Sequence, residues 1–188
     1  SASMGLSILN IPSIVEMQFS DFVSSGFTAI VNLISKSYYR WGQNASIVIR
    51  MPCGGGVGAG PFHSQTNESW FTTVPGLKVV YPSFPKEAKG LLINSIKDPN
   101  PVLFFEHKKL YRTISEDVTS EPYITPFGKA ILRLEGDDMC IISYGLGIHW
   151  ALEEVKKFPQ AKIAVLDINT LVPLDYDSIF DLVKKTGK

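Results

Sequence analysis

The first half of the chain alternates short apolar segments with amphipathic ones, and this alternation constrains the fold more than any other feature. β-Branched and aromatic residues cluster in four segments that we predict to be strands. These are residues 13–19, 45–50, 77–81 and 101–105. One helix is predicted from Asp21, as its capping residue, to Gly42, and another from Pro85. Such an alternation is typical of an α/β fold, in which a parallel sheet has helices on both faces.

The pattern is interrupted between residues 106 and 136 and then resumes. The interruption carries many charged residues and little periodicity, so we predict a connection between two domains. The predicted boundaries are 1–107 for the first domain, 108–136 for the connection and 137–188 for the second domain. Two strands, 139–144 and 161–168, are predicted there, with a last helix capped by Asp175 or Asp177. A two-stranded sheet would leave an edge unpaired, so we expect this domain to be incomplete.

Charge and composition narrow the range of partners and compartments. The 188 residues include 18 basic and 18 acidic side chains, so no net charge favours nucleic acid or an anionic membrane. No apolar run approaches the roughly 20 residues that cross a bilayer. Cys53 and Cys140 are too few for a disulfide framework or a zinc site, and they are typical of a reducing compartment. We therefore expect neither a nucleic-acid partner nor a membrane partner.

A glycine-rich loop, residues 51–65, follows the second predicted strand and is the candidate functional centre. Open parallel sheets bind ligands beyond the carboxyl ends of their strands, which is where this loop is expected to lie. His63 comes near its end, and it could act as an acid, a base or a substrate ligand, or be an ordinary loop histidine. A phosphate-binding role is disfavoured, because Gly60-Pro61 interrupts the place where a helix should begin.

A second glycine turn, Gly145-Leu146-Gly147, stands between a predicted strand and a predicted helix, and Asp167 ends the next strand. This arrangement resembles a nicotinamide-binding unit. Trp150 occupies the position of the third glycine, however, where close packing of helix on strand excludes bulk. His149 is interpreted as a packing residue with one hydrogen bond. We therefore assign no cofactor to this turn.

Several motifs together resemble the β subunits of thiamine-diphosphate-dependent 2-oxo acid dehydrogenases. The active-site segment of this family is similar to residues 54–65, GGGVGAGPFHSQ. The other similar segments are EMQFSDF at 16–22, VPGLKVV at 74–80, DPNPV at 98–102, PFGKA at 126–130 and YGLG at 144–147. The similarity runs in one register over nearly the whole chain. The segment FFEHKKLYR at 104–112 resembles the branched-chain members more than the pyruvate members.

The resemblance implies a transketolase-type pyrimidine-binding domain, incomplete at its N-terminus, and a truncated transketolase C-terminal domain. It implies oxidative decarboxylation of a branched-chain 2-oxo acid such as 3-methyl-2-oxobutanoate, with transfer of the acyl group to lipoamide of an acyltransferase. The implied partners are a second β subunit and an α subunit or α domain, which holds the magnesium and the diphosphate of thiamine diphosphate. The alternatives are a pyruvate dehydrogenase β subunit, a transketolase-like enzyme and a non-catalytic assembly module.

The resemblance also implies roles for individual residues. His63 matches the active-site histidine that contacts the substrate-derived intermediate and takes part in acyl transfer. Phe22 matches an aromatic residue that packs on the aminopyrimidine ring, and Gln18 lies nearby in the sequence. Some members bind potassium through oxygen ligands at a matching segment. The implied ligands are the carbonyls of Ile47, Val48, Ser95 and Ile96, with Asp98 and Asn100.

One functional acid of the family is expected outside this chain. The glutamate that protonates the aminopyrimidine would precede Ser1, so no acid here, Glu16 included, is assigned to that role. We therefore expect the 188 residues to be a fragment with negligible decarboxylase activity by themselves. The resemblance implies a location in the bacterial cytoplasm, or in the mitochondrial matrix if the source is eukaryotic.

Overall fold

A five-stranded sheet forms the larger part of the protein, whose computed structural model describes residues 1–188. In sheet order its strands are β1 (Ser13–Glu16), β2 (Ile47–Cys53), β4 (Val102–His107), β3 (Lys78–Val80) and β8 (Thr170–Val172). The first four strands are parallel, as the sequence predicts, and β8 pairs antiparallel with β3. The sequence did not predict β8, because three residues are too few to show a period of two.

Helices cover both faces of this sheet, which confirms the predicted α/β architecture. Alternate residues of β2 point to opposite faces, so Val48 packs with Leu91 of helix α3 (Pro85–Lys97) in one core. Ile47 and Ile49 belong to a larger core on the other face. That core is covered by helix α1 (Ala2–Ile8) and by residues 20–41. β2 continues three residues beyond its predicted end, because residues 51–53 pair with β4.

Residues 20–41 form an irregular helical segment rather than the single helix that the sequence predicts. The segment comprises 3-10 turns at Ser20–Gly26 and Ile34–Lys36, a π-helical turn at Ala29–Leu33 and the short helix α2 (Ser37–Trp41). The hydroxyls of Ser25, Ser35 and Ser37 donate to backbone carbonyls three or four residues earlier. Such bonds compete with the regular helical ladder, which explains the irregularity.

The two predicted ends of this segment have different outcomes. Gly42 ends it in a left-handed conformation with φ of 66°, as predicted. Asp21 was predicted to cap the helix, and this prediction is wrong. Its carboxylate instead accepts a hydrogen bond from the backbone N–H of Gln65, 3.2 Å away. Asp21 is therefore a contact to the glycine loop and not a cap.

A second, three-stranded sheet lies in the C-terminal part of the chain. In sheet order it contains β5 (Ile131–Leu134), β7 (Ile163–Asp167) and β6 (Met139–Ser143). The strands β6 and β7 are parallel and were predicted, whereas β5 is antiparallel to β7 and was not. The remaining helices are α4 (Leu110–Thr113), α5 (Leu146–Val155) and α6 (Tyr176–Thr186). A strand of the second sheet thus lies inside residues 108–136, which were predicted to be only a connection.

The helices of the protein are short. The longest, α3, has 13 residues, and no helix combines the length and apolar character that a membrane span requires.

Candidate functional site

The glycine loop leaves the carboxyl end of β2 and returns to it. Its base is closed by a hydrogen bond of 2.9 Å from the Gly54 N–H to the Gln65 carbonyl. Positive φ angles at Gly54, Gly56, Gly58 and Gly60 turn the chain back on itself, which only glycine adopts at low cost. A single 3-10 turn, Pro61–His63, then delivers His63 to the edge of the sheet. The glycine loop therefore lies at the carboxyl end of a strand, as predicted.

His63 is half-buried and has one ring nitrogen free. Its Nδ1 lies 3.0 Å from the Ala59 carbonyl oxygen, which can only accept, so Nδ1 carries the proton in this contact. In the neutral ring, Nε2 is then the nitrogen without a proton, and it can accept one from a bound molecule. The neighbouring Ser64 hydroxyl donates to the Gly60 carbonyl at 2.8 Å. The geometry suits an imidazole that exchanges a proton with a ligand.

Two phenylalanines pack against the His63 ring. The ring centroids of Phe19 and His63 are 4.8 Å apart and those of Phe22 and His63 are 5.4 Å apart, both in edge-to-face geometry. The side chain of Phe22 is 40% exposed, so one part of its ring is open to a flat ligand. The structure thus brings Phe22 and His63 together, as the resemblance implies. Phe19 was not singled out from the sequence, although its position next to Gln18 placed it near the site.

Gln18 directly precedes Phe19 in the chain, and its side chain forms no hydrogen bond within the protein. It is exposed and has a positive φ of 38°, an unusual conformation for a residue other than glycine. This conformation occurs where β1 ends and the chain turns into the irregular helical segment. The Gln18 side chain is therefore exposed to solvent just beyond the carboxyl end of β1.

Residues 65–67, which follow His63, form hydrogen bonds to the start of the irregular helical segment at Ser20 and Asp21. The Asn67 amide donates to the Ser20 carbonyl at 3.0 Å, and Asp21 accepts from Gln65 as described above. Three oxygens in this layer are buried and have no hydrogen-bond partner within the chain. They are Asp21 Oδ2, Asn67 Oδ1 and Glu68 Oε2. Buried acceptors without a donor are costly, so this layer has capacity for a donor supplied by a ligand or a neighbouring chain.

A second set of contacts joins the segment that follows the loop to the C-terminal sheet. The Tyr144 hydroxyl, at the end of β6, donates to Glu68 Oε1 at 2.9 Å. Beside it, Cys53 Sγ and the Tyr81 hydroxyl are 2.9 Å apart. Burial raises the pKa of the Cys53 thiol to about 12 and outweighs the lowering effect of the Tyr81 hydrogen bond. Cys53 is therefore a neutral packing residue and not a nucleophile.

The residues assigned to a potassium site lie at the amino end of β2 and around the end of α3. The Ala45 N–H joins the two places by donating to the Pro99 carbonyl at 3.0 Å. Asp98 is already engaged, since it is ion-paired with Lys78 and accepts two hydrogen bonds from Asn100. A cation there would compete with the Lys78 ammonium for the Asp98 carboxylate. Potassium binding stays a prediction.

The second glycine turn is filled by packing. Gly145 has a φ of 55°, and a Cβ atom there would lie 2.4 Å from the ring of Tyr81. His149 Nε2 is 2.7 Å from the Ser83 carbonyl, and its ring packs on Phe84. The interpretation of His149 as a packing residue with one hydrogen bond is confirmed. The Gly145 backbone thus packs directly on the Tyr81 ring.

Comparison with known protein families decides the relationship of this chain. Residues 1–113 match the transketolase pyrimidine-binding domain, and residues 128–188 match the transketolase C-terminal domain. The chain belongs to the transketolase family. The transketolase-type α/β fold inferred from the resemblance is thereby confirmed. This family depends in general on thiamine diphosphate.

Individual relatives give a finer comparison. The chain is 42% identical over 189 residues to the 2-oxoisovalerate dehydrogenase subunit beta of Bacillus subtilis (strain 168), covering 98% of this chain and 58% of the relative. It is 39% identical over 190 residues to the pyruvate dehydrogenase E1 component subunit beta of Staphylococcus aureus (strain N315), covering 99% and 58%. The corresponding subunit of Acholeplasma laidlawii is 38% identical, covering 100% and 58%. The chain thus spans little more than half the length of these relatives.

A solved structure supports the fold independently. The inactive beta4 tetramer of a split-gene transketolase superposes with a TM-score of 0.80, covering 99% of this chain and 58% of that one. Its sequence identity is 19%, so this likeness shows the fold alone.

The site of this transketolase-family chain fits the aminopyrimidine end of thiamine diphosphate. The open ring of Phe22 and the unpartnered acceptors of Asp21 and Asn67 suit an aminopyrimidine, which has a flat face and an amino donor. No group of three or more His, Cys, Asp or Glu side chains in residues 1–188 is arranged to hold a metal ion. The residues present fit the pyrimidine end of the cofactor.

Proposed function

We propose that this chain is part of the β subunit of a thiamine-diphosphate-dependent 2-oxo acid dehydrogenase, in its decarboxylase component. The proposed substrate is a branched-chain 2-oxo acid such as 3-methyl-2-oxobutanoate, and the acyl group is transferred to lipoamide. The observation that carries the proposal is His63, whose free Nε2 stands beside the exposed ring of Phe22 at the carboxyl edge of the sheet. Similarity to 2-oxoisovalerate and pyruvate dehydrogenase β subunits supports the assignment.

The chain's own residues have distinct tasks in this proposal. Phe22 packs on the aminopyrimidine ring, and Gln18 stands next to it at the rim. The lipoyl disulfide is the two-electron oxidant of acyl transfer: one sulfur takes the acyl group, and the other leaves and becomes a thiol by gaining a proton. His63 exchanges that proton at Nε2, while its Nδ1–H stays bonded to Ala59. The cofactor, when bound, supplies the nucleophilic carbon and the electron sink that decarboxylation of a 2-oxo acid needs. Its diphosphate and magnesium would be held by the α subunit or α domain, and potassium would be held near Asn100.

The surface around the loop is apolar, and this supports a site shared between subunits. Phe62 is 74% exposed and Val57 and Trp70 are each more than 40% exposed, all on or near the glycine loop. Several large apolar side chains exposed along one segment favour a protein interface there. We therefore propose contacts with an α subunit and a second β subunit, and transient contact with the lipoyl acyltransferase. Balanced charge supports the absence of nucleic-acid and membrane partners.

The compartment follows from the same proposal. The two cysteines, Cys53 and Cys140, are both free thiols, which is typical of a reducing compartment. We propose the cytoplasm for a bacterial source and the mitochondrial matrix for a eukaryotic one.

The first prediction tests His63 in the full-length β subunit assembled with its α partner. Replacing His63→Ala should lower the rate of lipoyl acylation roughly 100-fold or more, because a positioned acid–base group is lost. Decarboxylation measured with an artificial electron acceptor should fall less. His149→Gln is the matched control, since His149 lies outside the site, and it should keep acylation within about twofold. Unchanged acylation in His63→Ala would contradict the proposed role.

Steady-state rates of the complete complex on different substrates distinguish the proposed 2-oxo acid and enzyme class from the alternatives. A kcat/KM for 3-methyl-2-oxobutanoate above that for pyruvate supports the branched-chain assignment, and the reverse supports the pyruvate alternative. Turnover of a ketose phosphate would instead indicate a transketolase-like enzyme. An assembled complex that is silent on all of these would indicate an assembly module. The 188 residues by themselves should show negligible decarboxylation, because the chain spans only 58% of its relatives' length.

A further inference from the structure

Lys108, the first residue after β4, reaches from the sheet to the end of the glycine loop. Its ammonium donates a hydrogen bond of 2.5 Å to the carbonyl oxygen of His63. The same ammonium lies 4.6 Å from the centroid of the Phe19 ring, in cation–π geometry. Its backbone N–H donates to the Cys53 carbonyl at 3.0 Å. Lys108 therefore contacts both Cys53, at the end of β2 where the loop leaves the strand, and His63, near the end of the loop.

The other bonds of His63 cannot hold the loop against the sheet. His63 Nδ1 bonds to Ala59 and Ser64 bonds to Gly60, and all four residues belong to the loop itself. Such bonds keep the local shape of the turn but move with it. Glycines at positive φ leave the unfolded loop with many conformations, so external contacts are needed to select one. The Lys108 ammonium is the external contact that reaches the His63 backbone directly.

The surroundings keep this ammonium in place. Burial lowers the pKa of Lys108, and the carboxylate of Asp21 partly offsets that effect. Asp21 also accepts from the N–H of Gln65, two residues after His63. A positive and a negative side chain of the first domain thus hold the backbone on either side of Ser64. The Phe19 ring contacts both the Lys108 ammonium and the His63 ring, so it links Lys108 to His63 through side chains as well.

We propose that Lys108 is a positioning residue for His63, holding its backbone and the Phe19 ring so that Nε2 faces the bound substrate group. This inference rests on the proposed function for its effect on activity. The structural part of the inference, that Lys108 fixes residues 63–65 on the sheet, is independent of the proposed function. Lys109 offers a matched control, because it is the adjacent lysine and its exposed side chain makes no hydrogen bond or ion pair.

The experiment compares Lys108→Met, Lys108→Arg and Lys109→Met in the full-length β subunit assembled with its α partner. Hydrogen–deuterium exchange is followed in peptides covering residues 54–67, and lipoyl acylation and acceptor-linked decarboxylation are measured on the same samples. In Lys108→Met we expect exchange of the amides of residues 63–65 to accelerate about tenfold, because a charge-assisted bond is lost. Acylation should fall about tenfold with the KM for the 2-oxo acid little changed. Lys108→Arg retains a donor and a cation, and it should restore most of both properties.

The outcomes separate the two proposals. Unchanged loop exchange in Lys108→Met, or an equal change in Lys109→Met, overturns the positioning role. If exchange accelerates while both Lys108→Met and His63→Ala leave acylation intact, Lys108 holds the loop and the proposed role of His63 fails. If Lys108→Met does not assemble, Lys108→Arg decides. Near-normal exchange of residues 63–65 in Lys108→Arg supports the positioning role. Exchange as fast as in Gly54→Ala, a variant expected to disrupt the loop, overturns it.

Discussion

Gly54 shows at the scale of one residue why this loop is built from glycine. Its φ is 85°, and a Cβ atom there would lie 2.1 Å from Nε2 of His107. Burial is the main cause that lowers the pKa of His107, and the charges of Lys108 and Lys109 add to it, so the ring packs on Gly54 in its neutral form. The glycine is thus required both by its backbone conformation and by the close approach of an imidazole.

The second prediction follows from comparing this glycine with another. Gly54→Ala should lower the free energy of unfolding by at least about 2 kcal/mol, since it combines backbone strain with a steric clash. Gly58 has a φ of 70° but no atom within 4 Å of its would-be Cβ. Gly58→Ala should therefore cost only about 1 kcal/mol, from strain alone. Urea unfolding of the full-length protein checks both values, and equal losses would show that the His107 contact is unimportant.

At the scale of elements, the cap of α6 illustrates a choice that the sequence left open. Both Asp175 and Asp177 are suitable capping residues in the sequence. In the structure Asp175 accepts from the N–H of Ser178 at 3.2 Å and from the N–H of Ala130 at 2.9 Å. Asp177 is exposed in the first turn. Asp175 therefore both caps α6 and ties it to the segment that precedes β5.

The third prediction contrasts the two acids. Asp175→Ala should cost about 1–2 kcal/mol of unfolding free energy through loss of the cap. Asp177→Ala should cost about 0.5 kcal/mol or less, because only an interaction with the helix dipole is lost. Chemical unfolding at pH 7 measures the difference. Similar losses for the two variants would contradict the assignment of the cap.

The same cap has a defined pH dependence. Burial acts to raise the pKa of Asp175, but hydrogen bonds from Ala130 and Ser178 outweigh it and lower the pKa below its ordinary value. A carboxyl group with a lowered pKa stabilises the fold fully above its unfolded pKa of about 3.9, and this contribution is lost as the pH falls through the folded pKa. The gap in stability between the wild type and Asp175→Ala should therefore shrink below about pH 4.

At the scale of the whole molecule, a buried ion network joins the two sheets. Arg133 of β5 is 2.9 Å from Asp167 of β7 and 3.0 Å from Glu87 of α3, in the first domain. Ser83, at the end of the first sheet, donates to Asp167 at 2.8 Å. Asp167 is fully buried, and burial raises its pKa against the opposing effect of Arg133. The network fixes the C-terminal sheet on the first domain, next to the contact between Tyr144 and Glu68.

The fourth prediction concerns this network. Arg133→Met should cost about 3–5 kcal/mol, because the buried carboxylate of Asp167 loses its compensating charge. Arg112→Met is the control, since Arg112 is exposed and forms no ion pair, and it should change stability by about 0.5 kcal/mol or less. Differential scanning calorimetry of the full-length protein tests the values. Adding Asp167→Asn to Arg133→Met should recover part of the loss; a further loss would contradict the explanation.

Much of the fold could be predicted because its strands carry their signal locally. Apart from Arg50 in β2 and Glu106 and His107 at the end of β4, these two strands are apolar, as expected of strands buried on both faces. β5 was missed because its burial alternates over only four residues, which lie within a stretch of charged residues and proline. β8 was missed because only its pairing with β3 makes it a strand. The irregular segment 20–41 was predicted as one helix, since apolar spacing does not reveal that serine hydroxyls bond to the backbone.

The candidate site could be predicted in part. His63 and Phe22 were assigned from the resemblance, and the structure brings them into contact. Lys108 was missed because it lies 45 positions from His63 in sequence. No local pattern distinguishes it from the exposed Lys109 that follows.

The sequence by itself determined the alternation of strands and helices, the loop at a strand's carboxyl end and the family to which these motifs belong. These properties depend on residues that are neighbours along the chain, and local periodicity and turn chemistry record them. Only the tertiary structure decided that Asp21 holds the loop, that Asp175 is the cap and that Lys108 reaches His63. Asp21 and Lys108 act through contacts between distant segments, and Asp175 differs from Asp177 by its further bond to Ala130, 45 positions away. Such contacts depend on how the segments pack in three dimensions, which local sequence does not record.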